Sequence, residues 1–332
     1  MNNSNLNQKN THPVLLEAIE GKILENYIEY QYLFLEFQSN FLSNLYNRYQ
    51  SIENGTLVLY CARQAHQDIL RKKDYDLDFN LSFEKFWENH SELIPKRRSL
   101  ISIAKDTLLP KETVRRKILQ LVKQKVISKK NKNICWLPSE QYKQNYNLVI
   151  SKEIEDISRL MSFVSKKIDT PFSKEEIKNE IKEKFSFYWF HYLEVQLEYL
   201  RSWTKQFNDM ELGLIFLQVA NVFASKAKEK KISHKDIYDD PSLFKEFLGA
   251  SVSATFISEV TKIPRATCVR KLDILVKSKI LTQDQISKRY YINPSATADN
   301  MILQKQTEKV VKLFSNFYFI SLRAINTKIL NR

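Results

Sequence analysis

The sequence predicts a mainly α-helical protein built from two tandem units, and three observations carry that expectation. Glycine and proline are scarce: the 332 residues hold 4 Gly and 8 Pro, where ordinary usage would place roughly 23 and 17. Apolar and aromatic residues recur at helical spacing through the long segments. The chain also matches itself at a nearly constant offset, which is the mark of an internal repeat. Gly21, Gly55, Gly213 and Gly249 stand alone, so no glycine-spaced phosphate loop is present. Glycine-turned barrels and sandwiches are equally disfavoured. The length fits two domains of ordinary size.

The repeat is most distinct in Pro110–Ile127 (PKETVRRKILQLVKQKVI), which matches Pro264–Leu281 (PRATCVRKLDILVKSKIL) at an offset of 154, with eight of 18 positions identical. Thr113, Arg116, Lys117, Leu121 and Lys123 recur as Thr267, Arg270, Lys271, Leu275 and Lys277. Further upstream the offset is 158, pairing Tyr30, Leu35, Gln38, Gly55 and Ala62 with Tyr188, Leu193, Gln196, Gly213 and Ala220. Three matching blocks in one order imply a duplicated unit. The expected layout is a polar tail over 1–19, unit 1 over 20–168, a linker over 169–177 and unit 2 over 178–328.

Each unit reads as the same series of elements. Leu24–Gln50 is a long helix with an aromatic stripe (Tyr27, Tyr30, Phe34, Phe37, Phe41). Asn54-Gly55 reads as a turn before a second helix. A short segment follows around Phe83–Trp87, then two helices near 99–107 and 110–125. A candidate hairpin closes the series at 126–137, with its counterpart at 280–292 ending in the β-prone run KRYYIN. Helix-turn-helix segments are therefore expected over 99–125 and 253–279. A long terminal helix follows each, over about 140–168 and 296–328, the latter with Val310, Leu313, Phe314 and Phe317.

The repeated helix has two faces. Val114, Ile118, Leu121 and Val122 fall on one stripe, as do Cys268, Leu272, Leu275 and Val276. At 100° per residue, Arg116 points away from that stripe, and Thr113, Gln120 and Lys123 share its side; Thr267, Arg270 and Lys277 repeat the arrangement. Two helices with a basic outer face followed by a two-stranded wing make a winged helix. Its second helix fits the major groove, where guanidinium forks read guanine, while lysines at the edges meet phosphates.

Charge supports this reading. The chain carries 52 Lys+Arg against 38 Asp+Glu, a formal charge of +14. Residues 95–132 alone sum to +11 and residues 259–290 to +5, so everything else sums to −2. Clustered positive charge is the footprint of a polyanion binder. A single basic helix is an ordinary solvated surface; two equivalent ones, each before a wing, are not.

TVRRKILQLVKQKVI and TCVRKLDILVKSKIL resemble the recognition helix of winged-helix transcriptional regulators. With a long helix before and after, each unit resembles a protomer of the multiple-antibiotic-resistance-regulator (MarR-like) family. The resemblance implies a transcriptional regulator of double-stranded DNA, with recognition contacts at Thr113, Arg115, Arg116, Thr267 and Arg270. Wing contacts would fall at Lys129, Lys130, Lys132, Lys288 and Arg289. Lys96, Arg97, Arg98, Lys111, Gln120, Lys123, Arg265, Lys271 and Lys277 complete the candidate DNA-binding set. Two fused units would act as an intrachain pseudo-dimer within a monomer. A plasmid-type replication initiator with tandem winged helices, and a winged-helix protein-interaction scaffold, are the alternatives.

Other chemistry finds no support in the residues. His12, His66, His90, His191 and His234 show no metal spacing, and no catalytic triad, paired carboxylates or nucleotide-binding pattern stands out. No enzyme activity, cofactor or metal site is expected. Cys61, Cys135 and Cys268 lie far apart with no CxxC pair, which suggests a reducing, cytoplasmic setting. The longest uncharged run in the most apolar region, Leu212–Ser225, has 14 residues, short of the about 20 a bilayer span needs. A small-molecule effector pocket between scaffold and reading head is compatible with the layout, although no residue pattern locates it.

Overall fold

The computed structural model describes residues 14–92, 98–130, 133–207, 209–230, 250–293 and 301–330. Among them the chain forms thirteen helices and two small antiparallel hairpins, so the mainly α expectation holds. In order, the elements are α1 (Leu16–Glu25), α2 (Tyr27–Tyr49), α3 (Ile52–Tyr75), α4 (Phe86–Glu92), α5 (Leu100–Thr107) and α6 (Lys111–Lys123). The hairpin β1 (Ser128–Lys130) and β2 (Asn133–Cys135) follows, then α7 (Glu140–Lys167), α8 (Lys174–Glu183), α9 (Phe185–Phe207) and α10 (Met210–Glu229). The series ends with α11 (Ala254–Thr261), α12 (Arg265–Lys277), the hairpin β3 (Leu281–Gln283) and β4 (Tyr290–Ile292), and α13 (Met301–Leu330).

Short polar side chains start these helices. Ser51, Ser99, Ser139, Ser173 and Ser253 each accept a backbone N–H from the first turn of α3, α5, α7, α8 and α11, and Asp209 does so for α10. Ser173 and Glu176 complete a reciprocal capping box. Such caps satisfy donors that a helix cannot satisfy itself.

The element order recurs. Helices α8, α9 and α10 begin 158 residues after α1, α2 and α3, and α11 and α12 begin 154 residues after α5 and α6. The packing is reciprocal as well. α2 lies against α10 while α3 lies against α9, and these are the most extensive helix–helix contacts among the described residues. The long helices cross over too, α7 covering α8 and α13 covering α1.

The aromatic stripe of α2 forms the seam. Tyr27, Tyr30, Phe34, Phe37 and Phe41 are all buried, and their partners come from the second half. Phe34 meets Phe314 and Tyr199 edge-on, with centroids 4.8 and 6.1 Å away. Phe37 and Phe41 both meet Tyr192. Tyr30 and Tyr318 share a hydroxyl–hydroxyl hydrogen bond of 3.2 Å, and Ser39 donates to Gln218 at 3.0 Å. Edge-to-face geometry adds to the energy of burial because ring edges are positive and faces negative.

Three expectations need correction. Asn54-Gly55 is no turn; both residues lie in the first turn of α3. Gly55 is there because α2 crosses closely: a Cβ at this position would meet Leu45 at 2.2 Å. The tail expected over 1–19 contains the start of α1, and the linker expected over 169–177 contains the first turn of α8. The connection between α7 and α8 spans only 168–173. The reason is local: the Ser173–Glu176 capping box starts a helix inside a stretch that reads as charged and polar.

Among the described residues one helix, α10, is apolar and long enough to cross a membrane by length and composition, and 67% of its most apolar window is buried inside the protein.

Candidate nucleic-acid interface

The segments singled out for charge fold into two heads, each a pair of helices followed by a hairpin. α5 starts at Ser99, whose Oγ accepts the Ser102 N–H at 3.1 Å, and ends where Leu108 turns left-handed, with φ 58°. α11 repeats this with Ser253 and with Lys262 at φ 62°. Pro110 and Pro264 stand directly before α6 and α12. Thr107 and Thr261 are buried at the turns, each donating its hydroxyl to the carbonyl four residues back at 2.7 Å.

α6 and α12 sort their residues as the periodicity requires. Val114, Ile118 and Leu121 are fully buried, as are Cys268 and Leu272, with Leu275 at 1%; Val122 and Val276 are half-buried. On the other face Lys111, Arg115, Arg116, Gln120 and Lys123 are exposed on α6, and Arg265, Arg270 and Lys277 on α12. Thr113 and Thr267 are half-buried at equivalent points. Arg115 is engaged along its own helix, its Nε 2.9 Å from both Glu112 carboxylate oxygens. Arg265 donates to Thr255 at 3.1 Å.

Each hairpin is also bridged by one residue from the segment before its helix pair. In the first head Ser128 pairs with Cys135 and Lys130 with Asn133, and Ile134 also donates to the Arg98 carbonyl at 3.2 Å. In the second, Leu281 pairs with Ile292 and Gln283 with Tyr290, and Val252 and Tyr290 exchange both backbone bonds at 2.9 and 2.8 Å. The residue just before each head thereby bridges to the second strand of its hairpin. Lys129 is half-buried, while Lys288 and Arg289 are exposed. Lys130 belongs to β1, but its side chain, and Lys96, Arg97 and Lys132 altogether, lie outside the described residues.

Two candidate contacts belong to the scaffold instead. Lys271 is 4% exposed, and its ammonium is paired with Asp209 and Glu211, 2.5 and 3.0 Å away, at the start of α10. Lys271 stood in the candidate set beside Arg270, but α10 packs over that edge of α12. Arg98 turns its guanidinium inward to Gln64 of α3, and its Nε is buried without a partner among the described residues. The charge count could not separate these two from the outward cations.

Sequence reasoning also missed residues. Lys105, Lys125, Lys262 and Lys279 are exposed on the same heads. Lys125 and Lys279 both take left-handed backbone, φ 56° and 58°, just past the outward helices, so each sits where helix turns to hairpin. Their recurrence at the offset of 154 was the available signal. Lys117, equivalent to Lys271, donates to Ser51 Oγ at 2.8 Å and lies 3.8 Å from Glu53.

A cavity of about 130 Å³ lies where the second head meets the scaffold. Tyr30 and Phe34 of α2, Tyr199 and Trp203 of α9, Phe216 of α10 and Val310 of α13 line it, with Ile292 of β4 at one wall. Gln31 and Gln306 are its main polar groups. In the first half an aromatic cluster lies beside the hairpin strand β2. Trp136, Phe185 and Tyr146 surround Phe86 of α4, with centroids 6.2, 5.4 and 6.2 Å away, and His66 stacks on the same ring at 4.5 Å. A small cavity of about 30 Å³ lies near Tyr60, Gln64 and Arg98.

Compared with known proteins, the chain matches no protein-family model, no curated protein and no solved structure.

Proposed function

We propose that this protein is a sequence-specific regulator of transcription that binds double-stranded DNA. In this reading it is a duplicated pair of MarR-like winged-helix units acting as a pseudo-dimer within one chain. One observation carries it: Arg116 and Arg270 are exposed at equivalent positions of two helices whose opposite faces are buried. Such helices enter major grooves, and the hairpins beside them serve as wings. Fusing the units replaces dimerisation with an effective concentration in the millimolar range.

The two helices would not read the same bases. Exposed Gln120 can bond adenine through two contacts, whereas Ile274 at its place can only pack on a thymine methyl. Two unlike half-sites about one turn, roughly 34 Å, apart are expected. Selection from a random DNA pool tests this: a perfect palindrome or no enriched motif counts against it. The same motif iterated within a replication origin would point to an initiator instead. Affinity with a flat salt dependence would leave only a protein-interaction scaffold, because phosphate contacts give a slope near −0.9 each.

The cavity beside Ile292 supports a second element of this reading, a small apolar effector. It joins the scaffold to a wing strand, so filling it bears on where that wing sits. Trp203 lines it, and quenching of its fluorescence by a candidate molecule, lost when Ala220→Phe fills the space, is the expected outcome.

A further inference from the structure

The tip of the second hairpin carries an apolar side chain that packs on nothing among the described residues. Ile286 is 95% exposed, the most exposed large apolar residue among those described. The turn holding it is firmly built. Asp284 Oδ1 accepts the backbone N–H groups of Ile286 and Ser287 at 3.1 and 2.6 Å. The Lys288 N–H donates to the Asp284 carbonyl, and the Asp284 N–H to the Arg289 carbonyl, both at 2.9 Å. Lys288 takes a left-handed φ of 56°, and Arg289 is anchored by two bonds to Ser251, 3.0 and 2.6 Å long. Ile286 is therefore presented at a fixed position, with Gln285, Ser287, Lys288 and Arg289 exposed around it.

Resting on the DNA-binding reading above, we propose that Ile286 is a wedge that enters the minor groove of the second half-site and kinks the duplex there. β3 begins only four residues after the end of α12, which keeps the hairpin beside that helix, and with α12 in the major groove the proposal puts its tip in the adjacent minor groove. Lys288, Lys279 and Lys277 are exposed on the same head, and their charge suits phosphates rather than an apolar protein surface. Apolar side chains inserted between base pairs unstack one step and bend DNA by about 20–90°. Pyrimidine–purine steps yield most easily, so one such step becomes a requirement at a position where no hydrogen bond is made. The first hairpin carries Asn131 and Lys132 between its strands, and no bend is expected there.

Energy transfer between dyes at the ends of a 30-bp duplex carrying the selected site measures the bend. Wild-type protein is expected to bend the duplex, with the vertex in the second half-site, and to prefer a pyrimidine–purine step there by roughly tenfold. Ile286→Ala, at a fully exposed position, should keep its melting temperature and lose both the bend and the step preference. Ile286→Lys, which adds a phosphate-binding charge, should bind more tightly at low salt yet leave the duplex straight. A straight duplex with the wild type, or a bend unchanged in Ile286→Ala, overturns the wedge while salt-dependent binding leaves the DNA reading standing. Absence of any DNA binding by the wild type removes both. An Ile286 that proves to mediate protein association, with DNA shape and affinity unaltered in the variants, overturns the wedge alone.

Discussion

The Lys271 ammonium lies 3.0 Å from the Glu211 carboxylate and also pairs with Asp209, the residue that caps α10. Lys117 makes the equivalent reach to Ser51 and Glu53 at the start of α3. Each outward helix is thus tied by one lysine to the first turn of a central helix. Rotation of the head about that helix would break the tie.

Lys271→Met should therefore affect folding rather than nucleic-acid affinity. Two carboxylates lose a shared charged donor, at a cost of about 1.5–3 kcal/mol. Urea denaturation should show the loss, while the slope of log K against log[salt] stays unchanged. Lys277→Ala should do the reverse, reducing the slope by about 0.9 and sparing stability.

Arg116→Ala and Arg270→Ala should each cost about 1–3 kcal/mol in affinity, each on a different half-site. Competition assays with one half-site scrambled at a time check this. Equal weakening on every sequence would reduce both residues to phosphate contacts.

Gly55 and Gly213 occupy equivalent positions but should respond with opposite signs. A methyl at Gly55 collides with Leu45, so Gly55→Ala should destabilise by about 1–3 kcal/mol. At Gly213 the nearest atom, on Phe207, is 4.0 Å from a new Cβ, and Ala should stabilise the helix by about 0.4–1 kcal/mol. Melting temperatures of the two variants decide it.

Acid should weaken the first half in particular. Burial holds His90 down to about 4, with Lys143 adding to it, and burial holds His66 well below its ordinary value. An unfolded histidine titrates near 6.5, so the folded chain resists protonation that the unfolded chain accepts. For His90 the contribution is complete above about pH 6.5 and is lost as pH falls toward about 4, and His66 acts in the same direction. For His90 the loss by pH 4.5 amounts to about 2–3 kcal/mol, and His90→Phe should remove that share from urea titrations at pH 7 and 4.5. Glu153 runs the other way. Its burial raises the carboxyl to about 7, so its contribution is present at low pH and fades as pH rises through about 4.5 to 7.

Much of the architecture was legible because it rests on local rules. Helix periodicity separated Val114, Ile118 and Leu121 from Arg116 and Gln120, and the repeat placed Cys268, Leu272 and Arg270 by analogy. What was not legible depends on which neighbour arrives from far along the chain. Lys271 and Arg270 are adjacent and equally basic, yet α10 covers one and leaves the other in solvent. Asn54-Gly55 reads as a turn in any local window, and only the crossing of α2 explains a glycine within a helix. The cavity escapes notice for the same reason, since its walls come from four helices and a strand.

The cross-bracing of α2 with α10 and α3 with α9 has a mechanical consequence. Neither half retains its own hydrophobic lining when the other is taken away, since Phe34, Phe37 and Phe41 find their partners across the seam. Cutting the chain enzymatically between Thr170 and Ser173 should yield two fragments that travel together through a sizing column, parting only in denaturant. The peptide link there sets the ratio of the two halves at one to one; the interleaved rings are what keep them joined.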